Sequence, residues 1–259
     1  MNDTLIVSVI FQEIDIVKKH VDFLAGMKDL ADVVLLENKS KNTDIIKEYC
    51  SDLVKNNKIF KYYLFDENIG MNVFETFFNR FKIDDYKYIV VTDGDLTCDN
   101  NDWLNEVKYI LEKYPNTFCC GVKMNNINLP LRSFPEAISW IVPPSEVKDD
   151  YEQGITGLHF LTYKTKNFKL FFNHLKNNKN NFMDVVMHRF VQSIHRSWKR
   201  TVKNLVYHHT WDLYLDKNNE YTQLKINNSP RKLWFHNKFC NYIEFSNNNI
   251  INHTKYKRD

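Results

Sequence analysis

Glycine and proline are scarce in this chain. Its 259 residues hold six of each, about 2% where ordinary usage is about 7% and 5%. That excludes collagen-like repeats, linkers and Gly/Pro-rich disorder, and it marks each glycine as a place where the backbone needs one. Cysteine is also sparse: Cys50, Cys98, Cys119, Cys120 and Cys240 are an odd number without a CxxC pair. This argues against a disulfide framework or zinc site and for reduced thiols. Neither sign of charge dominates, since 35 Lys+Arg against 32 Asp+Glu leave +3. A strongly basic nucleic-acid arm and an acidic solvating chain are therefore excluded. No run approaches the roughly 18 apolar residues of a membrane span. The start, Met1 to Thr4, carries no basic region, and the apolar run 5–11 is too short for a signal peptide. The expected location is cytoplasmic, or peripheral to a membrane.

What is present is alternation. Residues 5–11, 32–36, 60–65 and 86–92 are apolar runs suited to buried strands. Between and after them, 13–28, 43–56, 73–81 and 103–114 have helical spacing. This predicts an α/β fold with a mostly parallel, Rossmann-like central sheet flanked by helices. Further strands are expected at 118–123, 158–163 and 202–207, and helices at 167–175 and 183–199. Four of the six prolines fall in the irregular segment 125–157. We read one domain in two halves, residues 1–123 and 124–212, followed by an aromatic and polar tail, 213–259. In such sheets ligands bind beyond the C-terminal strand ends.

Those ends carry the chemistry. After the fourth strand comes Asp93-Gly-Asp95. An isolated DGD is an ordinary turn, but at this address two carboxylates are hard oxygen ligands for Mn²⁺ or Mg²⁺. Gly94 between them allows a sharp turn and close approach. After the second strand, Glu37 can accept hydrogen bonds from a base or ribose, whereas Ser40, Asn42 and Thr43 suit helix capping. After the third, Asn68-Ile-Gly70 offers a positive-φ turn into a helix.

These pieces resemble, in order and spacing, family-2-like glycosyltransferases of the GT-A fold. Ser8-Val-Ile-Phe-Gln-Glu13 is similar to their first strand and loop. Glu37-Asn-Lys-Ser-Lys-Asn42 resembles their DNxSxD loop, Asn68-Ile-Gly70 their NxG loop, and Asp93-Gly-Asp95 their DxD motif. The resemblance covers about residues 4–212. It implies an inverting, metal-dependent transfer from a nucleotide-diphosphate sugar, with UDP the expected nucleotide, to a glycan or small hydroxyl acceptor. By position it assigns the nucleotide sugar to Phe11, Glu13, Glu37, Asn68, Gly70, Asp93 and Gly94. The metal falls to Asp93, Asp95 and a histidine after the last strand. That is His208 or His209, with His209 preferred: if Tyr207 and His209 share a face, His208 points away. Asp184 matches the carboxylate that opens a helix and serves as base; Met183 stands where such enzymes have a second acid. Asp149, Asp150 and Glu152 are rival carboxylates. Gly157, Trp211 and Asp212 are assigned to the acceptor.

Two features are weaker. His195-Arg-Ser-Trp-Lys-Arg200 with Lys203 reads as a solvated helix end, and more sharply as a phosphate contact. With Trp234, Phe235 and Phe239 it permits a second acceptor, a hydroxylated base in DNA. A nucleotidyltransferase would need a Gly-rich basic loop after the first strand, and residues 11–15 contain no Gly, Lys or Arg. A binding module without catalysis is disfavoured by the intact Asp93/Asp95 pair.

Overall fold

A computed structural model of the chain describes residues 2–178, 184–227, 238–247 and 249–257. The first half alternates as its periodicity requires. Strands β1 (Thr4–Ile10), β2 (Asp32–Glu37), β3 (Lys61–Phe65) and β4 (Tyr88–Asp93) are separated by helices α1 (Ile14–Ala25), α2 (Thr43–Lys55) and α3 (Asn72–Phe78). The short β5 (Leu96–Cys98), α4 (Trp103–Lys113) and β6 (Thr117–Met124) follow. A 3₁₀ helix (Pro135–Trp140), β7 (Glu146–Val147) and β8 (Glu152–Gln153) punctuate the proline-rich segment. Then come β9 (Leu161–Lys164), α5 (Thr165–Asn178), α6 (Asp184–Ser193) and β10 (Ser197–His208). The chain continues through α7 (Thr210–Leu213), α8 (Glu220–Asn227), β11 (Tyr242–Ser246) and β12 (Asn249–His253).

Among the described residues these strands build one mixed sheet, ordered β12-β11-β3-β2-β1-β4-β9-β6-β10-β8-β7, with β5 pairing β10. Strands β3, β2, β1 and β4 are mutually parallel; β9 runs against both β4 and β6. Alternating side chains face opposite sides, as the period of two requires. Leu5 and Val7 join the aromatic core beneath α3, α5 and α6. Ile6 and Ile10 join the core beneath α1, α2 and α4. Ile10 lies opposite Glu37, and Val9 opposite Asp93, so the C-terminal ends of three strands align.

Three expectations are corrected. The helix expected over 183–199 ends at Ser193, and β10 starts at Ser197. His195 adopts φ 52°, its N–H bonds Gln192 O, and Arg196 N–H reaches back to Val191 O at 3.1 Å. That is a left-handed C-terminal stop of the kind glycine usually supplies, so no sequence signal announced it. The basic stretch is therefore not a solvated helix end. Lys199 and Arg200 are buried in β10; Arg200 pairs with Glu152 at 2.7 Å and Lys199 sits 3.2 Å from the Tyr151 ring centroid. That burial takes Lys199 and Arg200 from any phosphate-binding surface, whereas His195 and Lys203 are exposed. The strand expected at 158–163 begins only at Leu161, because Phe160 turns the chain at φ 48°. The tail, which showed no clear period, adds β11 antiparallel to β3. Phe239 is buried against Tyr256, whereas Trp234 and Phe235 lie outside the described residues.

Candidate active site

The strand order reverses at β1, whose neighbours β2 and β4 lead to opposite ends of the sheet. A crevice opens beyond such a reversal. Residues leaving β1, β2, β3 and β4 meet there with the end of β10. The loop after β4 crosses so close to β1 that a Cβ on Gly94 would lie 2.3 Å from the Val9 carbonyl oxygen and 2.8 Å from Ile10 Cα. Close approach is indeed what Gly94 provides, but the partner is the β1 backbone. The crossing presents Asp93 and Asp95 to the same space.

Asp95 is fixed from β10 and α7. Thr210 Oγ1 donates to its Oδ2 at 2.6 Å, and His209 N–H to its backbone carbonyl at 2.8 Å. His208 Nδ1 lies 3.4 Å from the same Oδ2. Opposite, Gly70 adopts φ 56° and its N–H bonds Asn68 Oδ1. Asn38 ties the two loops together: its Oδ1 accepts from Ile69 N–H at 2.8 Å, and its Nδ2 donates to the Gly70 carbonyl at 3.1 Å.

Two cavities result. The first, about 470 Å³, is lined by Phe11, Glu13, Asn68 and Gly70 together with Asp93, Gly94 and Asp95. Asn38, Thr210 and, from α8, Tyr221 complete it. Burial pushes the Tyr221 phenol well up, with the charges of Asp95, Asp93 and Glu13 adding to it, so it stays neutral toward the three carboxylates. The second cavity, about 700 Å³, is lined by Gly157, His159 and Asp184, with Glu152 and Arg200 on its floor. Both are bounded by Trp140, His208 and Trp211. The Trp211 indole stacks on His208 at 4.9 Å and 12°, and Trp140 packs 5.9 Å from Trp211.

The strand ends thus bring together Phe11, Glu13, Asn68, Gly70, Asp93, Gly94 and Asp95. Asp184, Gly157 and Trp211 line the adjoining cavity. Three expected residues are placed elsewhere. Glu37 faces the core, fully buried, accepting from Thr43 Oγ1 at 2.7 Å and from Tyr62 OH. Its neighbour Asn38 takes the cavity position. The His209 ring shares a face with Tyr207, as expected, but bonds Thr97 Oγ1 at 2.9 Å, and His208 is the one turned to Asp95. Asp212 accepts from Tyr207 OH and Asn128 Nδ2, outside both cavities. Of the rival carboxylates, Asp150 is held by Lys113 and Tyr114, and Glu152 by Lys123 and Arg200. Both are kept below the ordinary range by those hydrogen bonds, against the opposing effect of burial. Asn38, Thr210, Trp140, His159 and Tyr221 line the two cavities and were passed over by sequence reasoning, which ranked His208 behind His209. For His208 the HisHis pair was the signal; for Tyr221, in a stretch without period, there was none.

No family model matches the chain. Three proteins of Acanthamoeba polyphaga mimivirus resemble it in sequence. Uncharacterized protein L138 is 36% identical over 94% of this chain and 28% of its own length. Uncharacterized protein L137 is 37% identical over 85% and 31%, and uncharacterized protein L142 is 34% identical over 92% and 49%. The chain thus spans less than half the length of each of these relatives. In structure it superposes on the mannosyltransferase PcManGT from Pyrobaculum calidifontis, solved in complex with GDP-Man and Mn²⁺. The TM-score is 0.54 at 12% identity, over 80% of this chain and 57% of that one. The chain has a GT-A-type glycosyltransferase fold. S. aureus TarS aligns over 81% of this chain and 61% of its own, at TM-score 0.48 and 14% identity. Among the described residues no helix is long and apolar enough to cross a membrane.

Proposed function

We propose that the chain transfers a sugar, with inversion, from a nucleotide-diphosphate donor to a hydroxyl acceptor. One observation carries this reading: the Asp93/Asp95 cavity and the Asp184 cavity share a wall of His208, Trp211 and Trp140. A donor seated in the first cavity would expose its anomeric carbon at that wall, with the acceptor on the other side. Residues 1–123 then hold the donor and 124–212 the acceptor, while Tyr221 of the 213–259 tail covers the donor. UDP is the nucleotide proposed first.

A divalent cation, Mn²⁺ or Mg²⁺, suits Asp95, Asp93 and His208. Among the described residues no group of three His, Cys, Asp or Glu side chains is preassembled as a cage. Cations of this kind are commonly held by one or two carboxylates plus substrate phosphates. Bound there, it would supply positive charge to the leaving diphosphate. The chain's own groups do the rest. Asp184, whose Oδ1 accepts from Val185 N–H at 2.7 Å, takes the proton of the acceptor hydroxyl. The hydroxyl oxygen bonds the anomeric carbon as the bond to phosphate breaks, and the electron pair leaves with the diphosphate. Trp211 and Trp140 offer apolar faces to the sugar's C–H surface.

The test is nucleotide-diphosphate release from a panel of nucleotide sugars with Mn²⁺, with and without EDTA. Release that EDTA abolishes is expected. Asp95→Ala should lose Mn²⁺-dependent donor binding. Asp184→Asn should retain it and lose transfer by about 10²- to 10⁴-fold. Absence of both release and thermal shift with every donor would sink the reading. Full turnover in Asp184→Asn would move the base to another carboxylate.

A further inference from the structure

His159 is absent from every role given above, yet it stands at the junction of the site. Its backbone carbonyl accepts from Val122 N–H at 2.8 Å, which anchors the loop entering β9 to β6. Its ring lines the larger cavity together with Asp184. It stands edge-on to His208, with centroids 6.2 Å apart and planes at 89°.

The two ring nitrogens have different surroundings. Nδ1 is buried and has no hydrogen-bond partner among the described residues. Nε2, by contrast, is not among the buried unpartnered atoms and lies beside Gly157, which lines the same cavity; a Cβ on that glycine would lie 2.8 Å from it. A hydrogen on Nδ1 would therefore be buried with no acceptor to meet it. A buried N–H without an acceptor costs more than a buried lone pair without a donor. The hydrogen therefore belongs on Nε2, and the cavity receives a donor.

We infer that His159 is an acceptor-binding residue whose Nε2–H donates a hydrogen bond to a hydroxyl of the acceptor beside Asp184. The inference rests on the transferase reading and sharpens its substrate class. A donor aimed at the attacking oxygen would withdraw electron density from it and slow attack. The hydroxyl bound by His159 is therefore a second one, and the acceptor is a sugar or polyol with at least two hydroxyls. Gly157 serves this arrangement by leaving room for the ring. An alanine there meets only the end of a movable side chain, so it displaces Nε2 without removing it.

Two measurements test this. In protein labelled with ¹⁵N-histidine, NMR reports the tautomer of His159 and its response to titration with methyl hexosides in the presence of UDP and diamagnetic Mg²⁺. The Nε2–H tautomer and a hexoside-dependent change at Nε2 are expected. In the second, the KM for the methyl hexoside that most stimulates UDP release is compared across variants. His159→Gln, whose amide nitrogen falls near Nε2, should stay within about threefold of wild type. His159→Asn, His159→Phe and Gly157→Ala should raise that KM at least tenfold, with unchanged affinity for UDP. An Nδ1–H tautomer, or His159→Asn performing as well as His159→Gln, would overturn the assignment. Loss of nucleotide binding in the wild type would instead remove the transferase reading, while the tautomer and titration still decide His159.

Discussion

Glu37 was expected at the nucleotide and is instead a buried acid whose titration opposes folding. Burial raises its carboxyl from 4.5 to about 7, against the hydrogen bonds from Tyr62 and Thr43, which favour the charged form. The unfolded chain loses this proton near 4.5, while the folded chain keeps it to about 7. Between those values the native state binds more protons, so stability falls as pH rises; the contribution is complete below 4.5 and gone above 7. Glu37→Gln removes the titration while keeping an acceptor for Thr43. The stability of the variant relative to wild type should therefore rise between pH 5 and pH 8, by roughly 1–3 kcal/mol. Chemical denaturation at the two pH values checks this, and parallel behaviour of the two proteins would exclude Glu37 as the titrating group. The same residue shows what the sequence could convey. Strand ends were legible from apolar runs, and so were the loops that carry chemistry. Which of two adjacent polar residues faces the crevice was not, because successive side chains point to opposite faces and the last residue of a strand sets the phase. Glu37 for Asn38 and His209 for His208 are the same one-residue slip at two strand ends. Asp93 and Asp95 escaped it because the turn at Gly94, not a strand pleat, presents both to the crevice.

Elements show a similar division. The first four βα units were readable because each strand is buried on both faces and each helix keeps one apolar stripe. The end of α6 was not, since His195 provides a left-handed stop without glycine. Nor was the irregularity in β10, where pairing with β6 shifts register between Arg200 and Leu205. Glu106 on α4 holds that irregularity. Its carboxylate accepts from the N–H groups of Val202, Lys203 and Asn204 at 2.9, 3.0 and 2.9 Å, and from Asn204 Nδ2 at 2.6 Å. Three backbone donors that the sheet cannot satisfy are thus met by one helix side chain. Beyond them β10 regains register with β6 and delivers His208 to Asp95. Glu106→Ala should cost about 2–4 kcal/mol, because hydrogen bonds to a charged acceptor are lost and partly buried N–H groups are left unmet. It should also weaken donor binding, since His208 and Thr210 lie downstream of the irregularity. Glu106→Gln keeps one acceptor oxygen and should recover only part of the stability. Unfolding curves together with UDP titration separate the two effects; a destabilised protein with wild-type UDP affinity would show that β10 keeps its course without the clamp.

The assembled sheet also explains why the C-terminal segment is more than a tail. Without it β3 would be an edge strand with unpaired N–H and C=O groups, a template for association with other chains. β11 covers that edge, and its side chains extend both cores: Tyr242 packs with Tyr63 and Phe65 on one face, and Phe245 stacks on Tyr62 at 5.2 Å on the other. Lys61 of β3 and His253 of β12 both pair with Glu244 between them. The period of two in 242–246 is short and flanked by asparagines, too brief to separate from loop by pattern alone, and its partner strand lies some 180 residues earlier in the chain. Long-range pairing of this kind leaves little local trace. Ending the chain after residue 241, which keeps the contacts of Lys238 and Asn241 with the loop after β3, should therefore do two things at once. Losing the burial of Tyr242 and Phe245, at roughly 2 kcal/mol each, together with the ladder bonds, should lower the Tm by about 10 °C. Exposing β3 should also make the truncated protein self-associate with rising concentration. Asp93, Asp95 and Asp184 lie far along the sheet from this edge, so UDP affinity measured well below the new Tm should change little. A truncated chain that stays monomeric with an unchanged Tm would show that β3 needs no cover. One that loses UDP binding at low temperature would show that the hairpin supports the crevice as well as the edge.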